Sequence, residues 1–180
     1  MMQQLNKAMQ PVRDRIKMMV ARGVLKAISD SGGVQTIQAG LLADELKDGI
    51  ERFQNYGFTS HPHAGAEAAI MFMGGNRDHG ICVAVDDKRY RIKGLQGGEV
   101  AIYDDLGTKI VLKRGNEVEI TASTKVKIIT PRLEVTGDII DNCETNTHTV
   151  KNMRDTYNLH THDGVQSGPS NTGDPNQQLT

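Results

Sequence analysis

The chain has 180 residues and a formal net charge of −1, from 21 basic and 22 acidic side chains. This balance excludes a global field that recruits nucleic acid or an anionic membrane, so partners must be recognised by shape. No apolar run reaches the roughly 18 residues that cross a bilayer, and residues 1–10 lack the plan of a secretory signal, so we expect synthesis and assembly in a cytoplasm. Nineteen glycines and no tryptophan favour short strands over a large globular core.

Residues 1–23 form a predicted helical segment. Its apolar side chains recur at three- and four-residue steps, which is the helical period: Leu5, Met9, Val12, Ile16, Met19 and Val20. Pro11 fits a helix start better than an interior, so the regular part is expected to begin there. We favour a helix that packs on its own domain over one that docks a partner.

Residues 24–95 are predicted to form a five-stranded β domain. Strands are expected at 24–28, 34–39, 66–73 and 80–85, with a fifth at 90–92, because apolar runs there alternate with Gly, Asn and Asp turn residues. Residues 41–60 have mixed patterning and fit a long hairpin or a short helix with a loop. Five strands are compatible with a small closed barrel such as the OB-fold.

This first half also contains candidate chemical groups. His61, His63 and His79 together would offer three imidazoles to a metal, and Ser60 lies beside a histidine. However, Pro62 fixes the local backbone, and no cysteine or carboxylate has a convincing ligand spacing. The nucleophile elbow of serine hydrolases is also missing from the sequence. A metal-dependent enzyme built on these histidines is therefore a minor alternative.

From residue 96 to about 155 the pattern changes to short repeats. Pairs of β-type residues two positions apart recur every seven to ten residues: Val100 and Ile102, Ile110 and Leu112, Val118 and Ile120, Val126 and Ile128, Leu133 and Val135. Turn residues separate these pairs. Short strands at this spacing, each with one apolar face, indicate a meander or a β-helix.

One copy of these repeats does not make a stable domain. Two apolar residues per strand form a strip too narrow to bury within one chain, and the strand edges stay open. Three chains wrapped around one axis would join the strips in a dry column and pair every edge with the next chain. The repeats therefore predict a homotrimer.

His160 and His162 stand close to the C-terminal end of the sequence. In an extended backbone, side chains two residues apart share a face, so these two imidazoles would aim at one point. Two nitrogens are too few to close a metal site, but three parallel chains would supply six. The rival interpretation is a pair of solvated histidines in a polar tail.

Several motifs together resemble the Mu-type phage baseplate spike family and the related P2-type spikes. They are NYGFTS at 55–60, GAEA at 65–68, GGNRDHG at 74–80, VDDKRYR at 85–91, and His160-Thr161-His162 followed by a Gly-, Ser-, Pro- and Asn-containing tail. The resemblance covers most of the chain. As a set these motifs are specific, whereas His-x-His alone is weak.

The resemblance implies a mainly β homotrimer: an N-terminal OB-fold domain, an intertwined triple-stranded β-helix over 96–155, and an apex over 156–180. It implies one iron ion per trimer, held on the three-fold axis by His160 and His162 of each chain. It also implies a virion baseplate spike that contacts hub and tail-tube proteins and pierces the host outer membrane during genome delivery. No enzyme activity and no nucleic-acid partner belong to that picture.

A second alternative keeps the trimer but changes its task. A trimeric tail fibre would bind a receptor or glycan through its tip, which would favour exposed aromatic side chains there. Tyr157 is the one aromatic residue near the histidine pair.

Overall fold

The described residues contain two α-helices and eight strands, which are distributed over two units. A computed structural model describes residues 1–42 and 45–161, and the chain divides into the units Met1–Lys125 and Val126–Thr180. The elements are α1 (Met2–Met18), β1 (Val20–Ser29), β2 (Gln35–Gly40), β3 (Leu46–Arg52), β4 (Glu67–Phe72), β5 (Gly80–Asp86), β6 (Val100–Tyr103), β7 (Lys109–Lys113), β8 (Glu117–Thr121) and α2 (Val150–Leu159). In the described part of the chain, neither helix has the length and apolar character to span a bilayer.

Strands β1 to β5 close into a barrel in the order β1-β2-β3-β5-β4. Strand β1 pairs antiparallel with both β2 and β4, and a short parallel pairing of β3 with β5 completes the circle. The mainly β expectation and the count of five strands are confirmed. The fifth strand is nevertheless β3, and residues 90–92, expected as a strand, lie in a turn and an irregular segment.

The barrel interior is filled by aliphatic and aromatic side chains. Leu25, Ile37, Ile70, Phe72 and Cys82 are its largest fully buried residues. They come from β1, β2, β4 and β5, where burial alternates with exposure along each strand as the pleat requires. Burial raises the pKa of the Cys82 thiol, which keeps it protonated and unreactive. The barrel centre is therefore packed with side chains.

Strand β3 escaped the sequence pattern because it contains a β-bulge. Its Ile50 pairs with Ile37 and its Lys47 with Ala39, so β3 has one residue more than its partner between these points. Gly49 lies at the bulge with a φ of +67°, a left-handed conformation that glycine adopts without strain. The extra residue breaks the period-two alternation on which strand prediction depends.

Helix α1 differs from expectation in its start and in its packing. It begins at Met2 and continues through Pro11, and none of its residues is buried. The expected packing of an apolar face against its own domain is therefore wrong. Its attachment is confined to the C-terminal end, where the Phe72 N–H donates to the Met19 carbonyl at 2.7 Å.

A close backbone approach fixes this end of α1. Gly75 is buried in the short 3-10 turn Met73–Gly75, and a Cβ at this position would lie 2.5 Å from the Arg15 carbonyl oxygen. Only a residue without a side chain allows this distance. The approach holds the last turn of α1 against the barrel.

Strands β6, β7 and β8 form an antiparallel meander that follows the barrel. The expected strands at the first three repeats are therefore confirmed. Residues 122–149, all described, contain neither strand nor helix in this chain, although the repeats at 126–128 and 133–135 were predicted as strands. Helix α2 begins at Val150, inside the range 96–155 that the sequence assigned to a β-helix.

We predict that Gly75→Ala releases the end of α1, with Gly74→Ala as the matched control. Both glycines have positive φ, +75° and +60°, so both variants carry backbone strain of about 1–2 kcal/mol. Only Gly75 faces Arg15, because a Cβ at Gly74 would meet nothing within 4 Å. Gly75→Ala should unfold at lower denaturant than Gly74→Ala and be cleaved faster by trypsin within α1. Equal behaviour of the two variants would contradict the close approach.

Candidate functional site

An apolar face on the β6–β8 meander is the most prominent surface feature of the first unit. In each of two cross-strand rows, residues of the three strands stand opposite one another. The rows are Val100, Leu112, Val118 and Ile102, Ile110, Ile120. All six side chains are between 40% and 59% exposed. Full burial of one Val, Leu or Ile side chain contributes about 1.5–3 kcal/mol to stability. Because these side chains are about half exposed, the single chain does not gain much of this free energy.

The opposite face of the meander combines the buried Val111 with paired charges. Lys113 forms an ion pair with Glu119 across β7 and β8, and Lys109 approaches the same carboxylate at 3.7 Å. The hydrogen bond from Lys113 lowers the pKa of Glu119, so the carboxylate stays ionised. These exposed pairs favour the observed register, in which all six aliphatic residues lie on the other face. The strand register therefore places the six aliphatic side chains on one face of the meander and the charged pairs on the other.

The apolar pattern continues in the second unit. Val126, Ile128, Leu133 and Val135 are each more than half exposed. Their backbone has β-type sequence but no strand partner among the described residues of this chain. Strand propensity, exposed aliphatic side chains and no ladder among the described residues are typical of a segment that pairs with another chain.

His160 lies directly after α2, as its C-cap residue, with φ −69° and ψ 142°. Its Nδ1 is within hydrogen-bonding distance of the Tyr157 carbonyl oxygen, and the two rings are 5.3 Å apart. Because a carbonyl only accepts, Nδ1 carries the proton in this contact, and the lone pair of the neutral ring is then on Nε2. This leaves the tautomer typical of metal-ligating histidines, whose other N–H binds a carbonyl or carboxylate.

The second predicted ligand, His162, lies outside the described residues. The backbone at His160 is extended, as expected for the histidine pair. Tyr157 and Leu159, just before it, belong to the helix α2. Among residues 1–42 and 45–161, no group of three or more His, Cys, Asp or Glu side chains is arranged to hold a metal. One chain's described part therefore contributes a single candidate ligand.

Helix α2 was not predicted, although a signal for it exists in the sequence. The Thr149 hydroxyl accepts from the Asn152 N–H at 3.1 Å, and the Asn152 side chain accepts from the Thr149 N–H at 2.9 Å. This reciprocal pair is a capping box with Asn in place of the usual Glu or Gln. Met153 and Tyr157 of this helix line the same surface pocket as His160.

The alternative metal site at His61, His63 and His79 is not assembled in the described structure. His63 Nε2 lies 2.9 Å from an Asp105 carboxylate oxygen and thereby ties the loop after β3 to the β6–β7 turn. The Ser60 hydroxyl accepts from the Arg52 guanidinium at 2.8 Å, so its partner is a cation and not a general base. These residues have structural contacts in place of a catalytic arrangement.

A buried amide completes the contacts of this loop. Gln35 is 5% exposed, and its side-chain oxygen accepts from Arg52 at 2.6 Å while its amide nitrogen donates to Asp30 at 2.9 Å. Arg52 also donates to the Ser60 carbonyl at 2.8 Å. The network satisfies each buried polar group and holds the loop to the barrel wall.

The barrel is filled, the candidate catalytic residues have structural contacts, and an apolar strand face is exposed. These features define a protein that functions by assembly. Comparison with known proteins gives the family. Residues 22–89 match the family described as "Bacteriophage Mu Gp45, N-terminal". The chain is 42% identical over 142 residues to the "Baseplate puncturing device gp45" of Escherichia phage Mu, covering 75% of this chain and 72% of that protein.

A second relative is the "Mu-like prophage FluMu protein gp45" of Haemophilus influenzae. It is 35% identical over 139 residues, which is 77% of this chain and 75% of that protein. The chain belongs to the phage Mu gp45 family, and the resemblance found in the sequence is confirmed.

Proposed function

We propose that the protein is the central spike of a contractile phage tail baseplate and that it pierces the host outer membrane during genome delivery. The coarse role follows from the family: the protein is a structural component of the virion tail baseplate and not an enzyme. The single observation that carries the finer proposal is the apolar face of the β6–β8 meander, because it requires further chains around it.

The barrel supports this role as a platform. A five-stranded closed barrel in the order β1-β2-β3-β5-β4, with β1 shared between two neighbours, is compatible with an OB-fold. Its filled interior resists compression, since protein cores pack as densely as organic crystals. We assign it the task of joining the spike to the baseplate hub and tail-tube proteins.

The shaft in this proposal is an intertwined triple-stranded β-helix beginning near residue 96. Three copies would bring the apolar strips of β6–β8 and of residues 126–135 together around one axis. The backbone of residues 122–149, without a ladder in one chain, would pair with neighbouring chains. Assembly would thus bury the apolar face and pair the open strand edges in the same step.

The tip in this proposal carries one iron ion on the three-fold axis, with His160 and His162 of each chain as ligands. Six neutral imidazoles suit a first-row divalent metal such as iron better than zinc, which usually takes four ligands. The contact of His160 with the Tyr157 carbonyl supports the assignment, because it selects the tautomer that ligation needs. The metal would hold three chain ends together where strands separate most easily.

Function under load follows from this arrangement. A needle transmits axial force from the tail tube to the host outer membrane only if its chains do not separate at the tip. Neither net charge nor a membrane-spanning helix in the described residues offers another means of entry. Mechanical force is the means that the proposed assembly provides.

The mass in solution tests the proposal directly. Sedimentation equilibrium should give a species three times the 19.7 kDa chain mass, without concentration-dependent dissociation in the micromolar range. A monomer or dimer would overturn the spike. A trimer that binds glycans or host receptors through its tip would instead favour the tail-fibre alternative.

We expect Val118→Asp to block trimer formation. Three carboxylates would converge on a dry axis, at a cost of several kcal/mol each if they remain charged. Val34→Asp is the matched control, since Val34 is an exposed valine in the turn before β2. Sedimentation should show monomer for the first variant and trimer for the second. Normal assembly of Val118→Asp would mean that this face does not turn inward.

Metal content tests the tip separately. Elemental analysis of the purified trimer should find about one metal per three chains. The double variant His160→Ala with His162→Ala should lose it, whereas His61→Ala with His63→Ala, which removes the other His-x-His pair, should retain it. One metal per chain, or loss only in the control variant, would contradict ligation at the tip.

A further inference from the structure

The apolar residues of α1 follow a strict heptad pattern. Their spacing along the chain alternates between three and four residues through the whole helix and its C-cap: Met2, Leu5, Met9, Val12, Ile16 and Met19. With Met2, Met9 and Ile16 at the a positions, the other three occupy the d positions. All six are exposed, between 39% and 81%, so no part of the described chain covers this seam.

We propose that the α1 helices of three copies form a parallel three-stranded coiled coil ahead of the barrels. This inference rests on the proposed trimer and adds a second point of association at the opposite end of the sequence from the tip. The occupant of each seam is therefore a copy of the same helix.

The width of the seam favours a coiled coil over docking on a sheet or a groove. A helix that covers a globular surface usually presents a wider stripe, with apolar residues also at the e or g positions. Here those positions next to the seam include Asn6, Arg13 and Arg15. A strict a and d stripe matches the packing of helices around a common axis.

The flanking charges permit self-association. In a parallel coil, a g residue faces the e residue five positions later in the neighbouring helix. Arg13 then faces Ala8, and the position that Arg15 would face lies beyond the end of α1, so the arginines do not oppose each other. Their aliphatic stems can cover the edges of the seam while the guanidinium groups remain in water.

One residue of the seam disfavours a two-stranded coil. Parallel dimers prefer leucine at d, whereas Val12 is β-branched and occupies a d position. Pro11 lies at a c position, on the outer side of such a coil, where its missing N–H and its ring meet solvent. Its ring therefore does not enter the seam.

The attachment of α1 to the barrel gives the helices a common direction. The Phe72 N–H bond to Met19 and the approach of Gly75 to Arg15 fix the last turn. Three-fold symmetry then places equivalent residues at the same height, which makes the coil parallel and in register.

Length explains why the coil depends on the rest of the trimer. A helix of 17 residues has fewer than three heptads and is marginal on its own in water. Linked through the trimer, the three copies meet at a high effective concentration, and short seams become sufficient.

Site-specific cross-linking tests the inference in the full-length chain. Exposed Cys143 is replaced by Ser, while Cys82 is fully buried and stays. In this background, Val12→Cys at the seam is compared with Asp14→Cys at the outer f position, and both are treated with a short bismaleimide. We expect covalently linked chains on a denaturing gel for Val12→Cys, at least five times more than for Asp14→Cys.

The outcomes separate this inference from the proposed spike. A trimer by sedimentation whose Val12→Cys variant links no better than Asp14→Cys would overturn the coil and leave the spike standing. A monomer by sedimentation would overturn both. Circular dichroism of each variant verifies that the fold is retained, as expected because no residue of α1 is buried.

Discussion

The exposed strand face of β6–β8 is the constraint on which the other features depend. Its six aliphatic side chains lie in two cross-strand rows, and the charged pairs around Glu119 hold the register that aligns them. A face of this kind is unfavourable for an isolated chain and favourable in an assembly. In the proposed assembly, the trimer and its shaft would cover this face, and the tip would lie on the same three-fold axis.

The barrel strands were predictable where the alternation was unbroken. In β4, Ala68, Ile70 and Phe72 alternate with exposed neighbours, and pattern alone identified that strand. In β3, the bulge at Gly49 interrupts the alternation of apolar and polar residues. The sequence pattern therefore indicates no strand there, and the fifth strand was expected at 90–92 instead. Local period carries the information about a strand, whereas a bulge is defined by the partner across the ladder.

The candidate site was predictable in residue types but not in pairing. Sequence spacing identified the repeats at Val118 and at Val126 alike, yet only the first forms a strand within one chain. A strand needs a partner to complete its hydrogen bonds, and a single sequence does not state whether that partner lies in the same chain. The helix α2 was missed for a different reason, because its ten residues are too few to establish a helical period.

The two ends of the proposed spike have related physical problems. A bundle of parallel chains is weakest at its ends, where each residue has neighbours on one side only and strands or helices fray. In the proposed assembly, the heptad seam of α1 would join the chains before the barrels, and the histidines would join them after the shaft. Hydrophobic packing suits the protected end inside the baseplate, whereas metal ligation suits the narrow end, where three chains leave little apolar area to bury. The chemistry at each end would then follow from the space available for contact.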